Sequence, residues 1–381
     1  MRSNDSLTQW PSMHLPDNAH IGIAGGGLLG RLLAWQLLRA GLRVSLFEAG
    51  SLTDSRAAAH TAAGMIAPVS EAIDSEYLMY ELGRTALTQW PQWLSQLEAQ
   101  ERVAYGNTGS LIVAHRADAS LLQQYQRDMH QMLPDIASPL LTRTELIGVE
   151  PDLNEAFQQG LLLDAEAHID NRALLAVLLE RIVELGGTCI EHTPVEVSAY
   201  QLSTNSDVHR FDCVLDCRGV GAKPQWSEVR GVRGEVLRVH SRDVSLSRPV
   251  RLLHPRYQLY VVPKPGGHFV IGATQIESED LSPVSVQSSL ELSSALYTIS
   301  PAFAEARILE LAVNLRPALR DNRPQIILAK GVMKMNGLYR HGYLIAPVVV
   351  QHVLARLLGG RYIDEPFASV LYTTAKESLS A

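Results

Sequence analysis

Ile21-Gly22-Ile23-Ala24-Gly25-Gly26-Gly27-Leu28-Leu29-Gly30 is the stretch on which the reading of this chain turns. Ile21 to Ala24 form a short apolar strand. Leu28, Leu29, Leu32, Leu33, Trp35, Leu37 and Leu38 then recur at helical spacing until Gly41 stops the helix. Leu42-Arg43-Val44-Ser45-Leu46-Phe47 reads as a second strand ending at Glu48, which completes a strand–helix–strand unit of the length a parallel crossover needs. Gly25, Gly27 and Gly30 match the G-x-G-x-x-G fingerprint in the context that gives it meaning. Gly25 is expected to permit the tight turn, Gly27 to let backbone amides approach a pyrophosphate, and Gly30 to let the helix pack closely on the strands. Leu28 and Leu29 open the helix whose N-terminus faces the phosphate charge. Glu48 is placed to accept hydrogen bonds from a ribose, and a carboxylate there disfavours a phosphorylated ribose. A glycine-rich turn without a ligand is the plain alternative, and strand, helix and acid together count against it. The unit alone does not separate FAD from NAD.

A length of 381 residues exceeds what one hydrophobic core usually serves, so two domains, or one with large insertions, are expected. With 46% hydrophobic and 19% charged residues, and no apolar run of membrane-spanning length, the chain reads as soluble and without a transmembrane segment. A formal net charge of -7 counts against a nucleic-acid partner and favours small-molecule chemistry. The start, Met1-Arg2-Ser3-Asn4-Asp5-Ser6 and then Trp10-Pro11, lacks the apolar core of a secretory signal, so a cytoplasmic location is expected. Residues 1–18 are polar and aperiodic and read as a loose N-terminal arm. Cys189, Cys213 and Cys217 are an odd count without metal-like pairing and read as reduced, mostly buried thiols with no metal site; a zinc or redox role for Cys213 and Cys217 is the alternative.

Further stations follow in order. Ala62-Ala63-Gly64-Met65 comes soon after Glu48; Leu259-Tyr260-Val261-Val262-Pro263, the turn Pro265-Gly266-Gly267 and Phe269-Val270-Ile271-Gly272-Ala273-Thr274 form a hairpin; Leu315-Arg316-Pro317 and Leu338-Tyr339-Arg340-His341-Gly342 come last. Together these resemble the glycine oxidase branch of the D-amino-acid oxidase family, from about Ile21 to Gly359. The resemblance implies an α/β fold in which a Rossmann-like FAD-binding domain interleaves with an α+β substrate domain built on an antiparallel sheet. The segments expected for the first are 19–90, 148–224 and 311–375, and for the second 91–147 and 225–310. It further implies that Ala63, Gly64 and Met65 wrap the flavin, that the backbone of Val195 meets adenine, and that Gly219, after the strand Cys213–Asp216, approaches the cofactor again. Arg340, His341, Gly342 and Leu344 are implied beside the flavin. Pro347 is expected in the first turn of a helix running through Val350, Val353, Leu354 and Leu357, and the start of that helix would stabilise negative charge on the reduced ring. An amphipathic helix from Arg172 to Leu185, closed by Gly186-Gly187, precedes a strand at Thr188.

Arg316 precedes a proline on an extended segment, with Leu311, Val313 and Leu315 on one face and Ala312, Asn314 and Arg316 on the other. A guanidinium binds a carboxylate bidentately and stays charged at any working pH. The resemblance makes Arg316 the anchor of an amino-acid carboxylate, the alternative being a solvated surface arginine such as Arg320 or Arg323. Tyr260 alternates with Leu259 and Val261, so its ring should face the pocket and its hydroxyl the carboxylate; an ordinary core tyrosine is the alternative. Arg340, implied by substrate and flavin, is otherwise a helix-capping arginine.

The implied reaction is oxidative deamination. Hydride passes from the substrate α-carbon to flavin N5, with the neutral amine assisting and no general base required. The imino acid hydrolyses, and molecular oxygen returns hydrogen peroxide. His60, His168 and His268 read as structural. Gln258 stands where glycine oxidases often have histidine, and Gln275 where a methionine can line the pocket beside Met65. These amides widen the substrate range to glycine, sarcosine, D-alanine or D-proline. With no cysteine after Cys217, FAD should be noncovalent. A dehydrogenase passing electrons to a quinone and a flavin-binding protein with little catalysis stay open, as do a role in thiazole biosynthesis and assembly as a homo-oligomer.

Overall fold

The computed structural model describes residues 15–255, 258–359 and 372–374. The first fourteen residues of the expected arm and the side chain of Gln258 lie outside the described residues, as does most of the segment expected beyond residue 359.

A seven-stranded sheet carries the nucleotide loop. Its order is Tyr372–Thr374, Gln325–Ala329, Val332–Asn336, Cys213–Asp216, His20–Ala24, Arg43–Phe47 and Thr188–Ile190. Every pairing is parallel except that of Gln325–Ala329 with Val332–Asn336. Ile21, Ile23, Val44 and Leu46 are buried, as in a parallel sheet covered on both faces. The helix Leu28–Arg39 fills the crossover and packs on Asn171–Glu184 and Gly342–Leu358. Asp170 caps the second of these by accepting the Ala173 amide at 3.1 Å. Trp35 meets Trp93, and Trp93 meets Trp90, edge to face at 6.1 and 5.4 Å, which locks the helix Tyr77–Gln96 onto this core.

The C-terminal helix departs from expectation. It begins at Gly342, so Pro347 is its sixth residue and not part of its first turn. A proline there leaves the carbonyl four residues earlier, that of Tyr343, without its helical donor. The Trp90 indole N–H, 2.9 Å away, supplies the missing bond. The helix therefore continues through the proline because another helix compensates for it.

The second layer is an eight-stranded sheet: Arg307–Ala318, Arg230–His240, His268–Gly272, Gln258–Lys264, Val250–Leu253, Ser110–Ala114, Gln159–Leu163 and Leu140–Thr142. It is antiparallel apart from Val250–Leu253 beside Ser110–Ala114. Leu259, Val261, Leu237 and Ile271 pack under the helix Val286–Ile299, whereas Tyr260, Val262, Val236 and Ala312 gather on the other face with Ala63 and Met65. That alternation sets the pocket-facing side. Of the strands in this sheet, Gln159–Leu163 lies inside a segment expected for the nucleotide domain, and Arg307–Ala318 spans the boundary expected at 311. Gln159–Leu163 pairs with Ser110–Ala114, and Arg307–Ala318 runs along the whole of Arg230–His240. Both join the sheet through partners distant in sequence, which local patterning does not reveal. Among the described residues, no helix is long and apolar enough to cross a membrane.

Candidate active site

Residues of both sheets line a cavity of about 1150 Å³. At one end lie Gly25, Gly27, Leu28, Leu29, Glu48 and Gly219. Gly25 has φ +100°, and a Cβ on it would come within 2.6 Å of the Cys217 carbonyl oxygen. Gly30 does not line the cavity: a Cβ there would strike the Gly25 carbonyl, so its part is to close the helix onto the turn. Both Glu48 oxygens are held by backbone, Oε2 by the Gly26 amide at 2.7 Å and Oε1 by the Gly50 amide at 3.0 Å. Each oxygen keeps a further acceptor site for a ligand hydroxyl. Val195 is not a lining residue; its carbonyl accepts Arg218 Nη1 at 2.9 Å and its side chain packs with Phe47 and Phe211. Arg56, exposed at the rim, is a lining cation that sequence reading did not single out.

Toward the other end, Ala63, Gly64 and Met65 form one wall and His341, Gly342 and Leu344 another. Gly64 has φ +73°, and a Cβ would collide with the Ile169 carbonyl. Lys264 ties this wall down by donating to the carbonyls of Ala63 and Ile169, each at 2.6 Å. Burial pushes the Lys264 ammonium down to about 7, with Asp170 opposing.

Arg316 and Tyr260 share this end with Gln275. The Arg316 guanidinium lies over Gly234, where a Cβ would sit 2.5 Å from its central carbon. It donates to the Thr274 carbonyl at 3.0 Å and to the Arg233 carbonyl at 3.3 Å, and among the described residues it forms no ion pair with a carboxylate. Buried Glu235 fixes this seat, accepting the Thr274 hydroxyl at 3.0 Å and Arg233 Nη2 at 2.6 Å. Gly272 leaves room for the Tyr260 ring, since a Cβ on it would stand 3.1 Å from the phenol oxygen. Burial raises the Tyr260 hydroxyl above the usual phenol range, with Arg316 opposing, so it is a proton donor at neutral pH.

Arg340 also lines the cavity, and here sequence reading missed its surroundings. Its Nε lies 2.8 Å from Glu71 Oε2, which also meets His341 Nε2 at 3.0 Å. Arg251, beside Tyr260 on the neighbouring strand, reaches Asp74 at 2.9 Å and Glu71 at 3.4 Å. Burial works against the Glu71 carboxylate, but Arg340, His341 and Arg251 outweigh it and hold it well below the usual range. Burial raises Asp74, with Arg251 opposing. Glu71 and Asp74 are three residues apart on the helix Pro68–Asp74, a spacing that places them on one face; that spacing was the one signal available, and common in helices of any role.

The model of the family described as FAD dependent oxidoreductase matches residues 20–356. The chain belongs to that family. A Rhizobium etli protein that carries the provisional name thiamine biosynthesis oxidoreductase ThiO is 37% identical over 338 residues, covering 88% of this chain and 95% of its own. Glycine oxidase of Bacillus subtilis is 23% identical, covering 94% and 97%. Among solved structures, glycine oxidase from Geobacillus kaustophilus aligns with a TM-score of 0.80 at 22% identity, and iminodiacetate oxidase from Chelativorans sp. BNC1 with 0.78 at 21%, each covering 93% of this chain and 99% of its own. The fold is thus the D-amino-acid oxidase type, with a Rossmann-like nucleotide domain and an α+β substrate domain.

FAD, implied by the family, fits the cavity. The helices Leu28–Arg39 and Gly342–Leu358 both open on it, so amide-rich, positive N-termini stand at the two places where a pyrophosphate and an electron-accepting ring would lie. Glycine backbone at Gly25 and Gly64 also lines the cavity.

Proposed function

We propose that the chain catalyses oxidative deamination of glycine or a small D- or N-methyl amino acid. The observation that carries this reading is Arg316, a guanidinium without a carboxylate partner among the described residues, which lines the same cavity as the nucleotide loop and acts electrostatically on the Tyr260 hydroxyl. Arg316 would take the substrate carboxylate bidentately, and Tyr260 would donate a further bond. Glu71 and Asp74 are engaged by Arg251 and Arg340 and so are not open to a substrate ammonium. The site therefore favours the neutral amine, whose lone pair assists loss of hydride from the α-carbon. Bound FAD supplies the two-electron acceptor, which oxygen regenerates with release of hydrogen peroxide. The imino acid takes up water to give a keto acid or glyoxylate and ammonia or an amine. Noncovalent FAD is supported by the position of Cys217 beside the nucleotide loop, since it is the one cysteine among the lining residues. The Rhizobium relative's name supports a place in thiamine biosynthesis.

The test is anaerobic addition of glycine, sarcosine, D-alanine and D-proline to the yellow holoenzyme, followed by air. Bleaching by one of them and recolouring with peroxide are expected. Failure of every candidate to bleach the flavin would overturn the amino-acid reading, and bleaching without recolouring in air would make the enzyme a dehydrogenase with another acceptor, such as a quinone.

A further inference from the structure

Of the guanidiniums that line the cavity, those of Arg316, Arg251 and Arg340 act electrostatically on the Tyr260 hydroxyl. Among the described residues, only Arg316 of these three lacks a carboxylate partner. Arg251 is held by Asp74 at 2.9 Å and Glu71 at 3.4 Å, and Arg340 by Glu71 at 2.8 Å. The four side chains of these pairs are largely withdrawn from solvent, with exposures of 11% and 24% for the arginines and 14% and 8% for the acids. The pairs are incompletely satisfied: Arg340 Nη2 and Arg251 Nε are buried donors with no acceptor. Each of these two guanidiniums thus has one donor left unsatisfied while its charge is already compensated from the helix Pro68–Asp74. Arg251 and Arg340 are thus engaged from that helix, and Arg316, with carbonyl partners only, is left for one substrate carboxylate.

We propose that Glu71 and Asp74 act as a specificity filter, standing in for a second substrate carboxylate on Arg251 and Arg340 and so restricting the site to amino acids with a single carboxylate. A dicarboxylic amine anchored at Arg316 and Tyr260 would turn its second carboxylate toward guanidiniums that are occupied, and toward two anions that repel it. Removing one of those anions converts an excluded region into a second carboxylate site. Asp74 is the better position to perturb: it bonds Arg251 closely, whereas its approach to Arg340 is 4.0 Å, so Arg340 keeps its bond to Glu71. The proposal rests on the amino-acid reading above, and the test keeps the two apart.

Holoenzyme is prepared as wild type, Asp74→Asn, and Asp74→Asn combined with Arg251→Met. Flavin reduction is measured with glycine or sarcosine against iminodiacetate or D-aspartate. Binding of acetate against malonate is followed independently through the absorption of the bound flavin. Asp74→Asn is expected to shift both ratios toward the dicarboxylate by at least about tenfold, the least expected from removing a like-charge contact. The double variant should lose that gain, because the freed guanidinium is gone. Ratios within threefold of wild type in Asp74→Asn would overturn the filter, as would a wild type that already takes iminodiacetate as well as glycine, or a gain that survives in the double variant. Should no amino acid reduce the wild-type flavin, the functional reading falls while the acetate and malonate ratio still decides the filter.

Discussion

Replacing Gly234 by alanine adds one methyl group directly beneath the proposed anchor. Its carbon would sit 2.5 Å from the central carbon of Arg316 and 2.5 and 2.6 Å from the two terminal nitrogens. Ordinary carbon contact begins near 3.5 Å, so the guanidinium must retreat by about 1 Å. It does not yield freely, because Thr274 and Arg233 carbonyls hold it at 3.0 and 3.3 Å. A misplacement of about 1 Å in a group that orients substrate costs roughly a hundredfold, or about 2.7 kcal/mol of transition-state stabilisation. Stability should move the other way, since glycine inside a strand is about 0.5–1 kcal/mol less favourable than alanine. Expected, then, is a folded, FAD-loaded Gly234→Ala with an unchanged or slightly raised Tm and kcat/KM down about a hundredfold. Rapid-mixing flavin reduction against amino-acid concentration, at matched FAD occupancy, reads the first quantity, and thermal unfolding the second. A variant within threefold of wild type in kcat/KM would show that the position of Arg316 is not what orients the substrate.

Arg316→Ala itself should retain FAD and lose about a hundredfold to several thousandfold in kcat/KM, as expected for stranding one member of a desolvated charge pair at about 3–5 kcal/mol. Arg316→Lys should recover only part, because an ammonium cannot make two parallel bonds; equal flavin reduction in all three proteins refutes the anchor. Glu48→Ala should weaken FAD binding without unfolding the chain, measured by cofactor release on dilution, and unchanged affinity rejects the ribose contact. Lys264 binds a proton more weakly folded, near 7, than unfolded, near 10.5, so the unfolded chain holds more protons between those values. Its contribution makes stability rise with pH across that window and level off below it. Denaturant unfolding at several pH values should show this slope in wild type and not in Lys264→Met; identical slopes would remove the assignment.

The parts legible in the sequence are those whose signal is local. The strand–helix–strand unit around Gly25 announces itself by periodicity, and the alternation Leu259, Tyr260, Val261, Val262 assigns the pocket face because a strand has a period of two. What escaped depends on partners far along the chain. Pro347 looks like a helix start until Trp90, more than two hundred residues earlier, donates to the carbonyl it leaves free. Glu71 and Asp74 are far from Arg251 in sequence, and the three become one cluster only when a helix and a sheet strand meet. Gly234 reads as a weakness in the strand Arg230–His240, and its purpose appears only with the Arg316 guanidinium lying across it. Val195 is a family position whose carbonyl also accepts from Arg218, a partner 23 residues on that local patterning does not reveal.

The Trp90–Tyr343 bond and the two helix N-termini on one cavity also bear on how the protein is made. Ala24 and Gly342 are separated by about 320 residues, which a ribosome translating roughly 5–20 residues per second takes on the order of 15–60 s to traverse. For the first part of that interval His20–Ala24 has Arg43–Phe47 beside it while waiting for Cys213–Asp216, and until its end the indole of Trp90 has no Tyr343 carbonyl to bond. Cofactor loading is therefore a late event in the life of each chain. A nascent chain holds its early apolar surface uncovered for tens of seconds, and the second helix N-terminus arrives only at the end, so ample flavin once chains are released should raise the yield of loaded protein more than flavin supplied during translation.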